Sequence, residues 1–154
     1  MTSNDSETFD PADIAAHAHW TRDVVRYADT DRQGHVNNAV FAVFLESGRV
    51  SILYDPEQPL APAGASFVIA RLVLDFRTEM RWPNEVWIGT TVKRLGRSSV
   101  TLSQGVFVDG TCTATAETVI VLMDEETRKS RSFPEATRAR LAGLLARENG
   151  VMDT

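Results

Sequence analysis

The sequence predicts an α+β domain in which one long apolar helix lies on a face of an antiparallel sheet. Three observations carry this. Between about residues 38 and 54, apolar groups crowd a stretch that holds no proline. After about residue 65 the apolar period changes to two and stays there through four segments. The connections between those segments are short, as antiparallel neighbours allow. The chain has 154 residues, 43% hydrophobic and 24% charged, an ordinary globular composition and enough for one core.

Met1 to Asp10 is polar and acidic and lacks the basic and apolar regions of a signal peptide. Residues 1–17 therefore read as a flexible lead-in to a domain over 18–150. Trp20 to Tyr27, with Val24 and Val25, reads as a short strand. A polar, Gly-containing turn follows, then the helix from about Asn38 to Tyr54. Its Val40, Phe41, Val43, Phe44, Leu45, Val50, Ile52 and Leu53 fill more than one stripe, so burial on most sides is expected. Asn37 or Asn38 supplies the N-cap, and Asp55-Pro56 ends the helix. From Phe67 to Phe76, alternation places Val68, Ala70, Leu72, Leu74 and Phe76 on one face, with Arg71 and Asp75 on the other.

Trp82-Pro83-Asn84 makes the next turn. Val86, Ile88 and Val92 lead one strand; Val100, Leu102, Val106 and Val108 lead another. Asp109-Gly110 is a hairpin signal, and Cys112 to Met123 forms the last strand. Four successive strands favour a meander. In the tail, Ser132 and Glu135 have capping-box spacing and Pro134 sits in the first turn. Leu141, Leu144 and Leu145 make the apolar stripe of a terminal helix.

The net charge of −5 and pI near 5.2 argue against a phosphate-gripping nucleic-acid protein. No apolar run is long enough to span a membrane. The single Cys112 permits no internal disulfide, fits a reducing compartment and reads as a packed strand residue, and a cytoplasmic location is expected. No Gly-x-Ser-x-Gly elbow, Walker loop or dinucleotide loop occurs. His17, His19 and His35 form no metal set, and His17 and His19 are expected to do nothing specific.

Chemistry concentrates in Asp29-Thr30-Asp31-Arg32-Gln33-Gly34-His35. A calcium loop would need a bidentate Glu where Val40 stands, and Asp or Asn where Gln33 stands. A purely structural turn accounts for Asp and Gly. A catalytic reading accounts for more: a carboxylate and an imidazole lie four residues apart, just before a helix N-terminus with unpaired N–H groups and partial positive charge. A thioester carbonyl placed there would find oxyanion donors beside a carboxylate.

The pattern Tyr27-x-Asp29-Thr30-Asp31-x-x-Gly34-His35-Val36-Asn37-Asn38-x-x-Phe41-x-x-Phe44-x-Glu46-x-x-Arg49 resembles the hotdog-fold thioesterases of the 4-hydroxybenzoyl-CoA thioesterase type. The His-Val-Asn-Asn core is also similar to plant acyl-ACP thioesterases. The resemblance implies a curved antiparallel sheet wrapped around a long central helix, plus a C-terminal helix. It implies hydrolysis of an acyl-CoA, or acyl-ACP, thioester to acid and thiol. It gives Asp31 the role of nucleophile or general base and the Asn38 amide that of carbonyl-polarising donor. His35 matches the plant-enzyme histidine, Gln33 standing where those enzymes carry Asn. Asp29 is expected to fix the turn.

Glu46 and Arg49 lie three apart and are expected to pair. Lys93-Arg94-Leu95-Gly96-Arg97-Ser98-Ser99 joins two strands, with Gly96 suited to positive φ. Guanidinium forks and hydroxyls are natural phosphate ligands. The resemblance assigns Arg97, Ser98 and Ser99 to coenzyme A phosphates, with Arg94 as an additional candidate. No metal or separate cofactor is implied, coenzyme A being part of the substrate. Sites of this kind form between subunits, so a homodimer or homotetramer is expected. Two rivals stand beside the thioesterase: a hotdog hydratase or dehydratase, and a non-catalytic acyl-CoA sensor. Val68, Leu72, Phe76 and Trp87 could line an acyl tunnel, though each also reads as core.

Overall fold

The long apolar stretch after Asn37 forms helix α1 (Asn38–Leu53) and lies on one side of a single five-stranded sheet in the computed structural model, which describes residues 8–146. The strands are β1 (His19–Val24), β2 (Ala65–Phe76), β3 (Glu85–Leu95), β4 (Ser99–Val108) and β5 (Thr111–Asp124), and helix α2 (Glu135–Ala142) follows. Short 3-10 turns cover Ile14–Ala16 and Tyr27–Asp29, so the first strand stops three residues before Tyr27.

All pairings are antiparallel and the spatial order is β1-β3-β4-β5-β2. The expected meander therefore holds only for β3, β4 and β5. Strand β2 sits at the far edge, where its twelve residues match the long β5 from Ala65↔Asp124 to Phe76↔Ala114. The chain then crosses back through residues 77–84, held by Thr113, whose carbonyl accepts from Arg77 and Thr78.

Alternation in β2 is broken once. Ile69 pairs with Ile120 and Arg71 with Val119, leaving Ala70 as a bulge. Paired residues share a face, so Phe67, Ile69, Leu72, Leu74 and Phe76 lie with Leu122, Ile120, Thr118, Ala116 and Ala114 on the helix side. Val68, Arg71, Val73 and Asp75 face outward. This corrects the uninterrupted alternation read from sequence, which put Val68 on the wrong side. Trp87 also faces outward, between the buried Val86 and Ile88 of the core. Of the four tunnel candidates, Leu72 and Phe76 alone face the helix.

Two apolar clusters fill the space under α1. Near its start lie Val36, Phe41, Phe44, Leu45, Met80, Val86 and Ile88; near its end lie Ile52, Leu53, Val92, Leu102, Ile120 and Leu122. Each fully buried large side chain contributes roughly 1.5–3 kcal/mol. Between them runs a polar belt of Thr90, Gln104 and Arg49. Gln104 Nε2 donates to the Leu45 carbonyl at 3.1 Å and to Thr90 Oγ1 at 3.0 Å, which turns its Oε1 toward Arg49 Nη1 at 3.4 Å. Gly48 lets the helix come this close: a Cβ there would meet Ile88 at 2.6 Å and Gln104 at 2.7 Å.

Arg49 is thus buried against Gln104, and no Glu46–Arg49 ion pair forms; Glu46 is exposed. Burial pulls the Arg49 pKa down and the Glu46 charge partly restores it. Nor is α1 buried on most sides. Val43 is 53% and Val50 43% exposed, and Ile69, Leu72 and Phe76 of β2 are exposed as well. The helix packs on β1, β3 and β4 and leaves an apolar flank open toward β2.

Residues 8–17 pack against the outer face, so ordered packing starts before residue 18; residues 1–7 lie outside the described residues. His17 is buried, with Nε2 2.8 Å from the Pro11 carbonyl and Nδ1 3.2 Å from Thr91 Oγ1. His19 Nε2 reaches Ser51 Oγ at 2.9 Å. Both histidines are structural, contrary to the expectation of no specific role, and burial lowers both pKa values. The cap expected at Ser132 is absent: Pro134 precedes the first turn and α2 ends at Ala142. Leu145 lies beyond it, bridged in parallel to Val92.

Candidate active site

The Asp31 loop is shaped by backbone hydrogen bonds. Thr30 and Val36 form an antiparallel bridge, Asp31 N–H donates to the His35 carbonyl at 2.7 Å, and Gly34 N–H donates to the Asp31 carbonyl at 3.1 Å. Gly34 has φ +79, a conformation that strains any L side chain. Asp29 fixes the entry to the turn: its Oδ2 accepts from Arg26 N–H at 2.7 Å and its carbonyl from Asn37 N–H at 2.9 Å.

Asp31 shares in this work. Its Oδ1 accepts from the backbone N–H of Gln33 at 2.8 Å and of His35 at 3.2 Å. Its Oδ2 has no partner among the described residues. The carboxylate is exposed, held at one oxygen and free at the other.

Asn37 caps α1, its Oδ1 accepting from Ala39 N–H at 2.9 Å. That bond leaves the Asn38 N–H without an acceptor among the described residues, on an exposed residue at the positive end of a sixteen-residue helix. The bond from Asn37 N–H to the Asp29 carbonyl ties this helix start to the loop that carries the carboxylate.

His35 is reached from a segment that carried no sequence signal. Val36 N–H donates to the Met80 carbonyl at 2.7 Å and His35 bridges Arg81, zipping residues 35–36 to 80–81. His35 Nε2 lies 3.0 Å from Glu79 Oε2 and 2.8 Å from Arg81 Nη2. The imidazole does not bond the Asp31 carboxylate. Only the backbone zipper, built across more than forty residues, places these two side chains beside it.

Arg94, Arg97, Ser98 and Ser99 are elsewhere. They lie at or beyond the end of β3, whose eleven residues carry the chain about 30 Å away from the Asp31 end. Arg97 Nε donates to Ser132 Oγ at 2.7 Å, and Arg138 of α2 donates to the Gly96 carbonyl at 2.6 Å. Gly96 has no positive φ; its lack of Cβ matters because one would meet Ser99 Oγ at 3.0 Å. Arg94 follows a bulge at Lys93 and pairs with Thr101, so it faces outward on the sheet. One chain therefore brings Asp31, His35 and Asn38 together and holds the basic hairpin far from them.

A family model described as the thioesterase-like superfamily matches residues 25–141. Among solved structures, a Thermus thermophilus thioesterase complexed with coenzyme A and Zn is 32% identical, with 81% of this chain and 98% of that one covered and a TM-score of 0.69. A Pseudomonas aeruginosa protein is 23% identical over 86% of this chain and 94% of its own, with a TM-score of 0.78. A Staphylococcus aureus DHNA-CoA thioesterase is 21% identical over 73% and 78%, with a TM-score of 0.67. These likenesses carry the curved sheet and central helix of the hotdog fold. No curated protein matches the chain.

Proposed function

The chain belongs to the thioesterase-like superfamily, and from that premise we propose that it hydrolyses an acyl-CoA thioester to the free acid and the thiol. The observation that carries the reading is a carboxylate with Oδ2 unbonded, on a loop that the Asn37 N–H ties through the Asp29 carbonyl to a helix start whose Asn38 N–H is unbonded, both among the described residues. The thioester oxygen accepts from that N–H, and the helix N-terminus stabilises the negative charge as it develops. Asp31 then either takes a proton from the attacking water or attacks the carbonyl carbon itself. In both routes the C–S bond breaks and the thiolate leaves; in the second, water then cleaves the acyl–Asp31 anhydride, releasing the acid and restoring the carboxylate. The bonds from Gln33 and His35 hold Oδ1 in place while Oδ2 reacts. The likeness of the 27–49 segment to the 4-hydroxybenzoyl-CoA type supports these roles.

The functional unit is a two-fold dimer. The open edge of β2 and its exposed apolar side chains support this, and so does the hairpin's distance from Asp31. Joining two β2 edges antiparallel brings one subunit's Asp31 end toward the other's Arg97–Ser99 hairpin. Guanidinium and hydroxyl groups there suit the phosphates of coenzyme A. Thiol release from a panel of acyl-CoAs tests the activity. Turnover on at least one acyl-CoA, lost in Asp31→Asn with the fold intact by circular dichroism, is the expected result. Unchanged turnover in Asp31→Asn would remove Asp31 from its role.

A further inference from the structure

The nitrogen His35 Nε2 has two neighbours that ask opposite things of it. Glu79 Oε2, 3.0 Å away, can only accept a hydrogen bond when ionised; Arg81 Nη2, 2.8 Å away, can only donate. One imidazole nitrogen cannot serve both. With its hydrogen on Nε2, His35 donates to Glu79 and keeps a lone pair on Nδ1. With its hydrogen on Nδ1, it accepts from Arg81 and has no lone pair to offer at Nδ1. The doubly protonated ring suits Glu79 and is opposed by Arg81. Glu79 and Arg81 are themselves 3.9 Å apart, two residues apart in an extended segment, so they flank the ring from one side. On the ring's own loop, Asp31 Oδ1 lies 3.2 Å from the His35 backbone nitrogen. Nδ1 has no partner among the described residues.

We infer that Glu79 is a positioning residue that acts through His35: it fixes the ring hydrogen on Nε2, so that Nδ1 presents a lone pair to the water that attacks. This rests on the thioesterase reading above. Arg81 pulls toward the other tautomer and restrains Glu79, keeping the preference reversible rather than locked. No proton is consumed in the step. Nδ1 accepts a hydrogen bond from the water O–H and orients its oxygen toward the carbonyl carbon: that of the thioester where Asp31 takes the water's proton, or that of the acyl–Asp31 anhydride where Asp31 has attacked first. A hydrogen on Nδ1 would turn the same ring into a donor and point the water's lone pair at it, away from the carbonyl.

The test joins a spectroscopic readout to kinetics. Glu79 is 66% exposed in its side chain, so Glu79→Ala leaves the core untouched. Long-range ¹⁵N–¹H correlation of the His35 ring at neutral pH shows hydrogen on Nε2 in the wild-type protein and on Nδ1 in Glu79→Ala. With the best acyl-CoA, kcat falls about tenfold in Glu79→Ala with KM within twofold, the size expected for one exposed charge-assisted hydrogen bond. Glu79→Gln, which still accepts through its amide oxygen, recovers most of it. Arg81→Ala keeps the Nε2 tautomer, because the neighbour that asks for the other one is gone. An identical tautomer in wild type and Glu79→Ala overturns the inference, as does a changed tautomer with unchanged kcat. Absence of turnover in the wild-type protein itself, on every thioester, would instead overturn the thioesterase reading, and the two failures are told apart by which protein shows them.

Discussion

The two ends of the sheet solve the same problem of holding polar groups with opposite means. At the Asp31 end the loop is organised by its own backbone, and reactive groups are left over: Asp31 Oδ2, the Asn38 N–H and His35 Nδ1. At the hairpin end, side chains hold the turn. Arg97 is tied to Ser132, Arg138 grips the Gly96 carbonyl, and the Phe133 N–H donates to the Arg97 carbonyl. The first end has an acid and an unbonded amide donor. The second has guanidinium groups and serine hydroxyls. Each lacks what the other carries, and a strand of eleven residues keeps them apart within one chain.

Mixing tests break this complementarity most sharply. Asp31→Asn alone is expected to lower kcat by on the order of 100-fold or more. Arg97→Ala combined with Ser99→Ala disables the other end. Co-refolding the two variants, assayed at acyl-CoA well below KM, is expected to restore about a quarter of wild-type turnover, since half the dimers are mixed and each mixed dimer holds one intact site. No recovery in thiol release would place both halves of the site in one subunit.

Next in size is the β2 edge. Ile69→Glu puts a charge on the helix side of a strand whose Ile69 is already 46% exposed, so the single chain tolerates it. Sedimentation velocity is expected to show monomer, with turnover down more than about tenfold. A persistent dimer would move the interface to another surface. Arg97→Ala alone acts on binding: KM for acyl-CoA rises about tenfold with kcat within twofold, and added salt weakens binding less than in the wild type.

The smallest effect separates structure from chemistry at the remaining histidines. Burial lowers His17 and His19 below the usual value of 6.5, so the unfolded chain binds more protons than the folded one just below that pH. Their contribution is complete above about pH 6.5 and is lost as pH falls from there toward the folded values. The melting temperature is therefore expected to drop on acidification from about pH 7 to about pH 5, and less steeply in His17→Gln. An equal slope in the variant would remove His17 from that dependence.

Local features were the legible ones. Helix α1, its Asn37 cap, the Asp109-Gly110 turn and the Asp29 turn each rest on residues within a few positions of one another, where side-chain chemistry is readable along the chain. The α+β arrangement followed from the helix and the later change of period, and the hotdog fold from the resemblance carried by residues 27–49. What stayed hidden depends on pairing across distance. Nothing in β2 announces that its partner is β5, some fifty residues on, or that Ala70 is skipped. Glu79 and Arg81 look like surface charges until His35 is zipped to them. Glu46 and Arg49 have helical spacing for a pair, yet Gln104, fifty-five residues away, takes the guanidinium instead.

The skipped Ala70 has a consequence for how this fold tolerates change. One extra residue acts as a phase shift: it inverts which side chains face the helix before it relative to after it, while the hydrogen-bond ladder on either side continues. Deleting Ala70 would return the strand to strict alternation. Phe67 and Ile69 would then swap places with Val68, or Leu72, Leu74 and Phe76 with their outward neighbours, whichever half of the ladder gave way. A one-residue insertion or deletion here would remodel the lining beside α1 wholesale, where a point substitution changes one side chain.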